Sequence, residues 1–298
     1  MCLAVLLSGM LLAGSSHAGV ITVCHGGLCD ETSIQDAIDA AQDGDIILVG
    51  AGTYYPSETI DTLGKAILIS GQVDSNGNLL TVIDGMYSMR LFICQSGETP
   101  ATILEHLIIQ NGFASGSFPD NTGGGMYITG SWPTLREIVF RNNVADNGGG
   151  LANDAGSHTK IFDCLFKGNE AGNLGGGILN IAGSQPTVKD CFLLENSAQV
   201  GGGIANHYYC NTNLKSSLIC SNSSDQISGT YTDNGGNQIW TRCDVPEDLN
   251  ADGAVDGRDL VQLLAAWNSP GTTEDINNDG TVNAADLTML LNSWGLAP

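Results

Sequence analysis

The chain has 298 residues, a formal net charge of −22 and only 10 lysines and arginines. So acidic a surface repels a phosphate backbone, which excludes nucleic-acid binding as the expected function, and it is repelled by an anionic membrane surface for the same reason. The length fits one large domain or two unequal ones, and carboxylates in such excess suit a secreted or cell-surface protein that uses some of them as cation ligands.

Residues 1–18 read as a secretory signal peptide. Residues 3–12 are apolar, and Ser16-His17-Ala18 has the small-x-small pattern of a cleavage site, although no Lys or Arg precedes the apolar run. The run is too short to span a bilayer, and no second long apolar segment follows, so the mature chain is expected to have no transmembrane segment. Of nine cysteines, Cys2 leaves with the leader, and an even number remains for an oxidising compartment. Cys24 and Cys29 flank Gly26-Gly27 and are expected to close a small loop. Cys164 and Cys191 occupy one repeat position and either bond or form a buried thiol ladder. Cys94, Cys210, Cys220 and Cys243 are not paired by the sequence, and no CxxC spacing supports zinc.

After a short strand at residues 20–24, Ile34, Ala37, Ile38 and Ala41 fall on one face at helical spacing, with Thr32 or Ser33 as N-cap and a stop at Gly44. A helix this short has no core of its own and is expected to cover an open end of the next element. Apolar runs bounded by Gly, Asn, Asp or Ser follow at residues 45–49, 66–70, 81–83, 91–94 and 102–109, with no helical segment between them. That excludes a doubly wound fold and predicts stacked short strands.

Two features then recur together. Glycine triplets end at Gly125, Gly150, Gly177 and Gly203, and asparagines follow Phe140, Phe166, Leu193 and Ile219 at Asn143, Asn169, Asn196 and Asn222, a period of 25 to 27 residues. Such a period signals a solenoid, with about eight coils between residues 19 and 240. Glycine supplies corners of positive φ and close backbone approach. The four asparagines are expected to stack and hydrogen-bond along the axis, as are Asn153, Asn180 and Asn206.

Residues 20–240 resemble right-handed parallel β-helix proteins of the pectate-lyase-like superfamily. The Gly-Gly-Gly-[Met/Leu/Ile] and Phe-x-x-Asn pair looks like the polymorphic outer-membrane protein repeat, and residues 33–55 with Thr81-Val82-Ile83-Asp84-Gly85 are similar to the opening of many secreted β-helix proteins. The resemblance implies an all-β solenoid with an N-terminal capping helix. It does not select a function, because lyases, hydrolases, epimerases and adhesins share the fold.

A polar linker at residues 241–247 leads into a different texture at 248–298. Two twelve-residue loops align without a gap, Asp248, Asn250, Asp252, Ala254, Asp256 and Asp259 matching Asp275, Asn277, Asp279, Thr281, Asn283 and Asp286. Positions 1, 3 and 5 bring hard oxygens to one point, Gly253 and Gly280 turn the chain at position 6, position 7 offers a carbonyl, position 9 acts directly or through water, and position 12 supplies a bidentate carboxylate. Each loop is therefore expected to hold one calcium, two ions in all, the first loop more tightly for its extra carboxylate. Leu260, Leu263, Leu264 and Trp267, and again Leu287, Leu290, Leu291 and Trp294, predict one buried face per following helix. Asp at position 12 departs from an EF-hand, and Pro270 forbids an entering helix to the second loop. The pair resembles a type I dockerin, which implies calcium-dependent binding to a cohesin-like partner through residues near positions 10 and 11. Here these are Gly257-Arg258 and Ala284-Ala285, which differ from each other and from the familiar hydroxylated pair.

No catalytic set of the fold's lyases or hydrolases can be matched. Asp154 and His158, with Asp120, are the catalytic candidates in loops beside the triplets, where carboxylates would serve acid/base work on a glycosidic bond, and His207, Tyr208 and Tyr209 are candidates for sugar stacking. His25 and His106 receive no role. Two readings stay open: a secreted β-helix that binds or processes extracellular polysaccharide as a lyase or hydrolase and is displayed through its calcium tail, or a non-catalytic adhesive or structural surface protein.

Overall fold

The structure is a computed structural model that describes residues 18–241, 243, 247–250, 255–277 and 279–294. All but the last residue of the expected signal peptide, Ala251, Asp252, Gly253 and Ala254 of the first expected calcium loop, and Asn278 of the second lie outside the described residues.

Three long sheets run the length of the β-helix, with nine, eight and seven strands, and a small sheet of three strands joins them. Every strand pairs in parallel with the strand one coil away. One coil shows the path. Met126–Thr129 lies in the seven-stranded sheet, Thr134–Arg136 in the nine-stranded sheet and Val139–Arg141 in the eight-stranded sheet. Val144–Asn147 lies in the small sheet, and Leu151–Asp154 returns to pair beside Met126–Thr129. In-register pairing puts equivalent residues of successive coils on top of one another, and side-chain alternation sends every second one inward. Thus Ile47, Ile69, Leu104, Leu135, Ile161, Val188 and Leu214 form one fully buried file from the nine-stranded sheet. Phe140 and Phe166 stack with centroids 4.8 Å apart and planes 5° from parallel, which is the spacing of neighbouring strands.

The asparagine files are as expected. Asn143 Nδ2 donates to Asn169 Oδ1 at 3.0 Å, Asn169 Nδ2 to Asn196 Oδ1 at 2.9 Å and Asn196 Nδ2 to Asn222 Oδ1 at 2.9 Å. The second proton of each amide goes to a strand carbonyl, those of Ile109, Phe140 and Phe166. Each Oδ1 also accepts a backbone N–H of the coil before, so the ladder satisfies main-chain groups that the corner leaves unpaired. In the shorter file Asn153 and Asn180 each donate to the next Oδ1 at 2.8 Å. It ends at Asn206, whose buried Nδ2 has no hydrogen-bond partner among the described residues.

The glycine triplets work differently from a simple corner. Gly123, Gly148, Gly175 and Gly201 have φ of 72°, 66°, 66° and 63°, whereas the second and third glycines stay on the ordinary side of the map. Those later positions lack space. A Cβ on Gly124 would lie 2.4 Å from the Val144 carbonyl oxygen, and one on Gly125 2.5 Å from that of Gly150. Other corners take positive φ without glycine. Between the nine- and eight-stranded sheets His106, Glu137, Asp163, Asp190 and Ser216 have φ from 48° to 57°, a region that Asp, Asn and His enter more readily than most residues.

Helix α1 (Ile34–Ala40) closes the first coil, capped by the Ser33 hydroxyl and burying Ile34, Ala37 and Ile38. The Lys65 ammonium donates to the carbonyls of Ile38, Asp39 and Ala41 at 2.6, 2.9 and 2.8 Å, a cation at the negative end of the helix. Cys24 bonds Cys29 and Cys220 bonds Cys243. Cys164 and Cys191 are free, buried thiols, and burial first, then the neighbouring Cys191, pushes Cys164 well above the usual thiol range.

Candidate metal centre and exposed edge

In the tail, α2 (Gly257–Ala265) and α3 (Ala284–Asn292) each begin at a capping box. Asp256 and Asn283 are the N-caps, and the N3 residues Asp259 and Asp286 reach back to them. Asp259 Oδ2 accepts from the Asp256 N–H at 2.8 Å and Oδ1 from Asn250 N–H at 3.1 Å. Asp286 repeats this with Asn283 at 2.8 Å and Asn277 at 3.0 Å. The position-12 carboxylates thus tie the start of each loop to the start of its helix, and both are fully buried.

Asp275 faces into the second loop. Its oxygens accept from the N–H groups of Asp279 and Gly280 at 3.1 and 2.8 Å. Asp279 takes hydrogen bonds from the side chains of Asn277 and Asn283, which hold its carboxyl below the usual range. Among the described residues no Lys or Arg pairs with Asp259, Asp275 or Asp286, and no three Asp, Glu, His or Cys side chains stand in metal-coordinating geometry. The donor set nevertheless suits a hard cation. Oxygens from five side chains surround one loop, each carboxylate oxygen that accepts one N–H keeps a second lone pair, and buried carboxylates call for a positive partner.

The apolar contribution of the tail differs from the one-face expectation. Leu263 and Leu290 are buried with Val255, Ile276 and Val282 from the loops. Leu264, Trp267, Leu291 and Trp294 remain 50%, 37%, 51% and 45% exposed, so half of each predicted apolar face looks outward. The loop valines at position 8 complete the core instead. They were legible, with Leu249 and Ile276 at position 2, as apolar positions shared by both loops.

On the β-helix, Asp154 is 8% exposed and accepts from the Tyr127 hydroxyl at 2.6 Å and from the Ala155 N–H at 2.6 Å. Burial first, and Asp154 next, push the Tyr127 hydroxyl well above the usual range. Arg90 lies over the Tyr127 ring, 4.8 Å from its centroid, and donates to the carbonyls of Pro119, Thr122 and Gly123. Asp154 therefore belongs to an internal Arg90–Tyr127–Asp154 line. His158 turns instead to Trp132, with centroids 5.9 Å apart, and Asp120 is exposed. His207 and Tyr208 meet edge-on at 4.5 Å, and Tyr208 and Tyr209 are 76% and 93% exposed. Trp132, which the sequence reading passed over, shares the same corner of the coil as His158 and Tyr208, between the seven- and nine-stranded sheets. The corner so carries exposed aromatic rings on several coils.

Residues 246–293 match the dockerin type I domain family, so the chain carries a dockerin type I domain. Among solved structures the chain is similar to a pectin methylesterase from Aspergillus niger, at 14% identity and a TM-score of 0.43, over 77% of this chain and 87% of that one. It is also similar to a pectin methylesterase mutant in complex with a hexasaccharide, at 15% identity and 0.37, over 65% and 66%. A PL6 family alginate lyase mutant follows at 14% and 0.34, over 73% of this chain and 33% of that one. The β-helix assignment rests on the strand register rather than on these similarities. No curated protein matches the chain.

Proposed function

We propose that this is a secreted β-helix protein that is anchored through its dockerin type I domain to a cohesin-bearing partner in a calcium-dependent manner, and that binds extracellular polysaccharide along the β-helix corner. The repeated position-12 geometry, Asp259 and Asp286 each bridging loop start and helix cap, carries the first half. One ion would be held by Asp248, Asn250, Asp252, the Ala254 carbonyl, Asp256 and Asp259. The other would be held by Asp275, Asn277, Asp279, the Thr281 carbonyl, Asn283 and Asp286. Calcium supplies the positive charge that lets these acids share a loop, and the loops in turn aim α2 and α3.

The docking surface is the outward half of those helices. Val261, Leu264 and Trp267 on one, and Leu291 and Trp294 on the other, supply apolar contact. Gly257-Arg258 and Ala284-Ala285 differ, so the two repeats offer a partner different surfaces. Capture of the full chain on an immobilised type I cohesin in calcium, and its release by chelator, is the expected result. No capture in calcium by a panel of cohesins overturns this half.

For the β-helix, binding is favoured over glycosidic cleavage at this edge because Asp154 is enclosed by Tyr127. Trp132, His158, His207, Tyr208 and Tyr209 offer faces on which sugar rings stack. Pull-down on neutral and acidic polysaccharides, compared with a Trp132→Ala/Tyr208→Ala/Tyr209→Ala variant, tests it. Equal retention of the two proteins removes the edge from the account. The adhesive or structural reading gains if no polysaccharide is retained.

A further inference from the structure

A second group of reactive side chains lies on the outer face of the nine-stranded sheet, toward the end of its strands opposite the aromatic corner. Strand register aligns Thr22, Leu48, Ser70, Glu105 and Arg136 in one file. Their neighbours Ile47, Ile69, Leu104 and Leu135 fill the core, so alternation turns this file outward. Ser70 Oγ lies 3.0 Å from Glu105 Oε1 and 3.4 Å from His106 Nδ1. On the other side of the imidazole, Nε2 lies 3.3 Å from Glu137 Oε2. Arg136 Nε donates to Glu105 Oε2 at 2.9 Å, with its Nη2 on the same oxygen. The approach of His106 to Ser70 depends on Gly71, where a Cβ would lie 2.1 Å from the His106 carbonyl oxygen.

Beside Ser70 opens a cavity of about 310 Å³, bounded by Val23, Cys29, Leu48 and Val49 as well as by Ser70 and Gln72. The Cys24–Cys29 disulfide fixes the loop on its far side. The outward file therefore runs from an apolar wall through a hydroxyl to the Glu105 carboxylate, and the corner after its strands adds His106 and Glu137. A nucleophile, a base within reach of it, and an acid that orients the base are the parts of a hydrolytic serine site.

We propose that Ser70, His106 and Glu137 form a serine-type site that hydrolyses a carboxylic ester with a short acyl group, the acyl chain seated against Leu48 and the disulfide. Glu137 accepts a hydrogen bond from the Nε2–H of His106, which holds the tautomer with Nδ1 as the proton acceptor. Ser70 Oγ attacks the ester carbonyl carbon while its proton passes to Nδ1. The tetrahedral adduct collapses, the alkoxide leaves with that proton as an alcohol, and the acyl group stays on Ser70. Water then attacks the acyl-serine, giving one proton to Nδ1. The C–O bond to Ser70 breaks, Oγ recovers that proton, and the carboxylic acid departs. No oxidant, reductant or metal is needed. Glu105, paired with Arg136, orients the resting hydroxyl. This site rests on neither the calcium tail nor the aromatic corner.

The test uses the full chain with p-nitrophenyl acetate and a fluorophosphonate probe, followed by mass spectrometry of the labelled peptide. The probe is expected on Ser70. Ser70→Ala and His106→Gln are expected to lower hydrolysis by about 10²-fold or more. Glu137→Gln should lower kcat by about tenfold or more while KM stays within twofold, because it positions the base without touching the ester. Leu48→Trp, which fills the acyl cavity, should raise KM for p-nitrophenyl butyrate. Circular dichroism that matches the unsubstituted protein shows that each variant is folded. The proposal is overturned if Ser70→Ala hydrolyses as fast as the unsubstituted chain, or if the chain takes no label and is no faster than free imidazole.

Discussion

Asn169→Ala tests the ladder where it is most enclosed. Asn169 is fully buried, and its side chain makes four hydrogen bonds: Nδ2 to the Phe140 carbonyl at 2.9 Å and to Asn196 Oδ1 at 2.9 Å, and Oδ1 from the Asn143 N–H at 3.1 Å and from Asn143 Nδ2 at 3.0 Å. Asn143 Nδ2 keeps the Ile109 carbonyl, and Asn196 Oδ1 keeps the Asn169 N–H, so both side chains stay partly satisfied. The Asn143 N–H loses its partner in the core, whereas the Phe140 carbonyl, inside a paired strand, keeps its ladder bond. An unsatisfied buried polar group costs about 1–3 kcal/mol. At about 2–4 °C per kcal/mol for a domain of this size, the melting temperature should fall by about 2 °C or more. The assay is thermal melting followed by the β-sheet circular dichroism signal. Asn173→Ala serves as the control, because Asn173 is exposed and makes a single bond to the Asp146 carbonyl at 3.1 Å. Equal melting temperatures for the two variants would refute the ladder as a source of stability.

Gly124→Ala places a methyl 2.4 Å from the Val144 carbonyl oxygen. It should reduce the yield of folded protein severely, whereas Gly172→Ala, with no atom nearer than 3.7 Å and an ordinary φ, should be tolerated within about 0.5 kcal/mol; comparable soluble yields would show that the triplet is not a steric requirement. Glu98 is buried, which alone would raise its pKa, but hydrogen bonds from the Thr62 and Ser131 hydroxyls, its own N–H and the Gly64 N–H outweigh burial and lower it. A lowered folded-state pKa means the unfolded chain binds the proton first, so this contribution is full above the usual Glu value of about 4.3 and is lost as pH falls through the lower folded value. Glu98→Gln should therefore flatten the acid limb of stability against pH in urea titrations, and an unchanged acid limb would contradict the assignment.

The coil was legible because its causes are local and repeated. A period near 26 in two residue types at once leaves few folds, and Phe140 above Phe166 or Asn143 above Asn169 follows from it without further information. What the sequence hid depends on contacts between coils. The first glycine of each triplet is set by its own φ, but the next two are set by the carbonyl of a neighbouring coil, so all three look alike in the chain. Cys220 and Cys243 lie on no common repeat position, and only the closing turn of the last coil brings them together. Asp154 looked like a loop acid, yet Tyr127 one coil earlier encloses it. Ser70, His106 and Glu137 come from three coils with no motif spacing, which is why His106 carried no role in the sequence. In the tail the two aligned loops and the helices after them were legible from fixed spacing, whereas the exposed half of α2 and α3 was not. Val255 and Val282 take the core positions that Leu264 and Leu291 would otherwise fill.

The central claim is that calcium organises the tail into a docking surface. Calorimetric titration of calcium into the metal-free full chain, with helical circular dichroism followed in parallel, tests it most directly. Two bound ions and a gain of helix are predicted, because ligand binding to a site that exists only when folded appears as folding free energy. Asp259→Ala should remove one ion and Asp286→Ala the other. No heat and no change in helix at saturating calcium, or stoichiometry unchanged in both variants, would contradict the account.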